Sequence, residues 1–109
     1  MVDMDTLRQL ALSLPQVTED PHFDKTSYRI NKKIFATAVP GHNRATVKLS
    51  PADQDLFCTF DSSVIYPVPN KWGLQGCTLF ELSTVRQDML EDALTTAWQS
   101  AIGKRVKKK

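Results

Sequence analysis

Cysteine, histidine and glycine are all scarce in this chain of 109 residues, and each shortage excludes a class of chemistry. The two cysteines, Cys58 and Cys77, form no CxxC pair, and His22 and His42 are the only histidines. No four-ligand zinc site can be drawn from these residues at a standard spacing. The four glycines make up neither a GxGxxG fingerprint nor a P-loop, and HExxH and GxSxG are missing as well. No apolar run approaches the ~20 residues that a membrane span requires. The opening MVDMDTLRQLALSLP sets two acids ahead of its apolar residues, whereas a signal peptide begins with basic ones. The expectation is a cytoplasmic protein whose thiols are reduced and partly buried.

What the chain does contain is ordinary for a globular domain: 41% hydrophobic and 24% charged residues. Its length suits one domain with a single core, expected over residues 1–103. The net charge of +2 conceals an asymmetry. Residues 1–103 hold nine Lys/Arg against twelve acids, so the body is −3, while the tail KRVKKK (104–109) holds the other five cations. Such a tail can add salt-dependent attraction to nucleic acid, or it can be a solvated terminus.

The spacing of Leu7, Leu10, Ala11 and Leu14 predicts a helix over 4–14, capped by Asp3 or Asp5 and stopped by Pro15. The polar stretch QVTEDPHFDK reads as a loop. Strands are expected at Tyr28–Ile30, Lys33–Val39 and Ala45–Leu49, the first two joined by a tight turn at Asn31-Lys32. Ser50 and Pro51 start a second helix, and Ala52, Leu56, Phe57 and Phe60 are its expected packing face. A short extended piece at Val64–Tyr66 and a strand at Cys77–Leu82 follow, with a loop around Trp72 between them. Thr84 to Gln87 fits a capping box, and the final helix runs to about Gly103 with Trp98 on its apolar stripe. The order α-βββ-α-β-α describes an α+β fold, a single antiparallel sheet with helices packed on a face.

The densest local signal is YPVPNKWGLQGCTLFEL, residues 66–82. Pro67 and Pro69 stiffen the approach, while Gly73 and Gly76 permit positive φ or close backbone approach. Trp72 beside Lys71 is either a stacking tip next to a phosphate contact or a plug in the core. Residue chemistry alone leaves both open.

Taken together, LALSLP, KIFATAV, VKLSP, VPNKWGLQGCT and EDALTTAW, in this order, resemble the MmcQ/YjbR family of small bacterial proteins. The resemblance spans residues 4–104. It implies a secretion-chaperone-like α+β domain, no cofactor, no established catalytic residues, and protruding β-loops of a double-wing DNA-binding motif. The matching wing positions are Asn31, Lys32 and Lys33 at the hairpin, and Asn70, Lys71 and Trp72 in the second loop. Arg29, Arg44 and Lys48 are expected on the same sheet surface.

Three functional classes follow. Weak, salt-dependent binding of double-stranded DNA by a monomer or weak homodimer would use Lys32, Lys33 and Lys71 on phosphates and Trp72 on bases. It would gain if those lysines converged on one face with Arg44, and fail if they were scattered among acids. A protein- or peptide-binding module of the same fold would show Phe35, Phe57 or Phe80 on an uncovered sheet face. An enzyme would need His22, near Glu19, Asp20 and Asp24, as a general base, but a surface turn accounts better for that acidic stretch. Lys48 and Glu81 are a candidate cross-strand ion pair.

Overall fold

The structure, a computed structural model, describes residues 2–22, 25–30, 32–39, 41, 43–69 and 71–102, the side chains of His22 and Trp72 apart. Asn31, Asn70 and the tail 104–109 therefore lie outside the described residues, as does the Trp72 indole.

The element order is α1 (Met4–Leu12), β1 (Thr18–His22), β2 (Lys25–Ile30), β3 (Lys33–Val39), β4 (Arg44–Lys48), α2 (Pro51–Cys58), β5 (Ile65–Pro67), α3 (Lys71–Leu74), β6 (Cys77–Glu81) and α4 (Gln87–Ile102). The strands form one six-stranded sheet in the order β1-β2-β3-β4-β6-β5, antiparallel throughout. The expected α+β class is what the chain adopts. Two elements were not expected: β1 lies in the stretch read as a loop, and the Trp72 region holds the one-turn helix α3.

Pairing across strands shows which face is buried. Tyr28 faces Ala36, Ala36 faces Val47, Ala38 faces Ala45, and Phe80 stands between Ala45 and Ile65. All seven are buried and meet α1, α2 and α4. Between the Tyr28–Ala36 and Arg29–Ile34 pairs, Phe35 is an extra residue in β3. That bulge explains why consecutive Phe35 and Ala36 are both buried where strict alternation would bury one. On the other face, Thr37 pairs with Thr46, Thr46 with Leu79, and Leu79 with Tyr66; all are half-buried.

Local chemistry starts and stops the helices. Asp3 caps α1, accepting from the Thr6 N–H at 2.8 Å, and Ser13 closes it two residues before the expected end. Ser50 caps α2, accepting from the Asp53 N–H at 3.2 Å. The expected face of α2 is corrected, however. Of its four apolar residues only Phe57 is buried, 6.4 Å from the Phe80 ring, while Leu56 and Phe60 stay 59% and 60% exposed. Gln54 takes the inward position instead. Thr84 does not cap α4: that helix begins three residues later, where the Arg86 carbonyl accepts from Leu90 N–H. Leu90, Ala93, Leu94 and Ala97 form its buried stripe. Trp98 packs at the margin of the core and donates its indole N–H to the Pro15 carbonyl at 3.0 Å, tying α4 to the end of α1.

The edge strands are β1 and β5, and each contains a proline, Pro21 and Pro67. No helix among the described residues is long and apolar enough to cross a membrane.

Candidate nucleic-acid interface

Three chain reversals meet at one end of the sheet: the β2–β3 hairpin, the β4–α2 junction and the entry to β6. The C-terminal part of α4 reaches the same end. Between them opens a cleft of about 1010 Å³. Arg29, Lys32, Lys33 and Lys48 line it, with Thr37, Thr46, Ser50 and Ser100 supplying hydroxyls. Phe35, Ala36, Leu49 and Ala97, all buried, line it as well. No carboxylate is among the described residues that line it.

The cations are placed by backbone rather than by ion pairs. Ile30 pairs with Lys33, so the hairpin connection is two residues long, and Lys32 within it has φ 67. That left-handed conformation suits Asn or Gly and costs a lysine about 1 kcal/mol. Arg29 is held from below: its Nε donates to Ser27 Oγ at 3.1 Å, and the buried Ser27 hydroxyl donates to the Asp20 carbonyl at 2.9 Å. The Asp20 carboxylate stands 4.0 Å from Arg29, at the limit of an ion pair. Lys48 ends β4 opposite Cys77. Burial pushes the Cys77 thiol up, Lys48 pulling it weakly the other way, so Cys77 enters the cleft as a thiol.

Two loops are pinned together beneath this site. Buried Gln54 donates from Nε2 to the Gly73 carbonyl at 2.9 Å and to the Cys77 carbonyl at 3.1 Å. Gly76, at φ 108, lies so close to the Leu49 carbonyl that a Cβ there would sit 1.7 Å from its oxygen. The Leu49 N–H donates to the Gly76 carbonyl at 3.0 Å. Ser50 brings the positive end of α2 to the cleft, and the last turn of α4, its negative end, lines it too, so net attraction rests on the cationic side chains.

A model of the YjbR family matches residues 12–100 of the chain. The chain belongs to the YjbR family. Among solved structures, protein DR2400 of Deinococcus radiodurans, a DUF419 domain, is similar to this YjbR chain with a TM-score of 0.79. The two are 20% identical, the match covering 99% of this chain and 84% of that one, which shows a shared fold. No functionally curated protein matches it.

Of the residues singled out in the YjbR sequence, Arg29, Lys32, Lys33 and Lys48 meet at the cleft. Arg44 does not join them. It pairs with Glu81 at 2.9 Å, and the Tyr66 hydroxyl donates to the same carboxylate. This corrects the expected Lys48–Glu81 pair: the register sets Glu81 opposite Arg44 and Lys48 opposite Cys77. Lys71 opens α3, exposed and outside the cleft lining. The expected convergence of Lys71 and Arg44 with the hairpin lysines is therefore not what these positions do. Phe35, Phe57 and Phe80 all lie on the helix-covered side, at 1%, 4% and 0% exposure, and offer a peptide nothing. Cys58 and Cys77 are free and half-buried. Ser27, Gln54 and the Thr37–Thr46 pair were missed. Each is a small or polar residue whose part depends on strand register, so no local pattern could have revealed it.

Proposed function

We propose that this YjbR-family chain is a non-enzymatic protein that binds double-stranded DNA weakly, through phosphates, with Arg29, Lys32, Lys33 and Lys48 as its contacts. One observation carries the reading: four cations surround one cleft and no carboxylate is among its described lining residues. On a body of charge −3, that local excess is what an approaching polyanion meets. The hairpin supports it as a wing, since Lys32 occupies a conformation that glycine would hold at lower cost. The tail 104–109 is joined by chain continuity to α4, whose Ser100 and Ala101 line the same cleft.

The test is a fluorescence titration with mixed-sequence duplex across a range of salt. Four phosphate contacts give a slope of log K against log salt of about −3 to −4. Lys32→Glu with Lys33→Glu abolishes binding and leaves stability within about 0.5 kcal/mol. Lys32→Gly raises stability by about 0.5–1 kcal/mol while flattening the slope by about one unit. Removal of 104–109 weakens binding without changing the melting curve. A wild-type protein that fails to bind duplex at low salt overturns the reading.

A further inference from the structure

We propose that the interior of the cleft binds a small phosphate-bearing molecule of about nucleoside-monophosphate size, a ligand distinct from a duplex lying across the rim. The inference shares the four cations with the DNA reading but concerns the space behind them. That space, about 1010 Å³, lies at the upper end of ordinary small-ligand sites. A double helix is too wide to enter it and meets only the exposed rim, where Lys32, Lys33 and Lys48 stand.

The lining combines cationic, hydroxyl and apolar groups. Cationic side chains at the mouth match a phosphate dianion better than a carboxylate, because several positive charges converge where a monoanion needs one. Thr37 and Thr46 face each other on adjacent strands and give a pair of hydroxyls that can donate to phosphate or ribose oxygens. Ile34, Leu49 and Ala101, which line the same cleft, add apolar surface of the kind that accepts a flat base. The bulge at Phe35 and the close Leu49–Gly76 approach shape this lining by backbone geometry, so it exists before any ligand arrives.

Calorimetric titration with adenosine 5′-monophosphate, adenosine and inorganic phosphate tests the proposal, with duplex titrated in parallel. The nucleotide is expected to bind at least tenfold more tightly than either of its parts. Ser100→Trp fills the cleft from an exposed position on α4 without changing charge. It is expected to weaken nucleotide binding at least tenfold and leave duplex binding unchanged, whereas Lys48→Gln weakens both. No heat with millimolar nucleotide overturns the proposal, as does phosphate binding as tightly as nucleotide. Equal losses of nucleotide and duplex in Ser100→Trp also overturn it, since a single shared site would then serve both. If the duplex alone fails to bind, the DNA reading falls and this one stands.

Discussion

Replacing Gly76 with alanine tests whether the cleft is built by the close approach of two chain segments. Gly76 has φ 108, outside the region that L-residues adopt at low cost, which accounts for about 1–3 kcal/mol. The new Cβ would lie 1.7 Å from the Leu49 oxygen and 2.8 Å from its carbonyl carbon. Both are backbone atoms at the end of a central strand, so no side-chain rotation relieves the contact. Separating the segments stretches the Leu49 N–H to Gly76 carbonyl bond, worth about 0.5–1.5 kcal/mol. The two costs together come to about 1.5–4.5 kcal/mol, a large part of the ~5–15 kcal/mol that holds such a domain. Urea denaturation followed by tryptophan fluorescence should show a lower midpoint at an unchanged slope. Gly41→Ala, where nothing lies within 4 Å of the added carbon, serves as control and should stay within about 0.5 kcal/mol. A loss below about 1 kcal/mol in Gly76→Ala would refute the argument.

Two further outcomes are expected. Trp98→Ala should cost about 2–3 kcal/mol, less than a fully buried tryptophan, because the indole sits at the core margin. Trp98→Phe should cost about 1 kcal/mol, chiefly the bond to the Pro15 carbonyl, and equal losses in the two variants would contradict this division. Neither tyrosine should ionise near pH 10 in the folded protein. Tyr28 is pushed up to about 12 by burial and then by the Glu19 charge, and Tyr66 is raised chiefly by donating to Glu81. Unfolded tyrosine ionises near ~10, so the stability Tyr28 contributes is complete below that pH and is lost as pH rises towards 12. Ultraviolet titration showing a full phenolate step at pH 10 in folded protein would contradict it, and Tyr28→Phe should flatten the alkaline decline.

The legibility of the chain followed the reach of each interaction. α1 and α4 were readable because their stripes repeat at helical spacing, and β3 was placed to the residue. β1 was missed because TEDPH, at the sheet edge, carries neither alternation nor β-branched bulk beyond Thr18. At α2 the pattern misled: Ala52 and Leu56, and Phe60 just beyond the helix, look to solvent, while the inward Gln54 is satisfied by two carbonyls that only the folded chain supplies. The site split along the same line. Lys32 and Lys33 were visible as a hairpin tip, yet their meeting with Arg29 and Lys48, and the removal of Arg44 by Glu81, depend on the register of strands far apart in sequence.

The prolines in the two outer strands limit how this sheet can associate. Val68 N–H bonds to the Cys77 carbonyl and Glu81 N–H to the Val64 carbonyl, so in the alternating antiparallel pattern Pro67 turns its nitrogen away from β6. The outward margin of β5 thus lacks a donor at its last residue, and Pro21 stands in the other edge strand, where proline is tolerated. A peptide held by strand addition, or a second copy zipping edge to edge, would find an interrupted ladder on either side. Both margins of the sheet are thus closed to further strands, and what the fold leaves open is its end, where the hairpin and cleft stand.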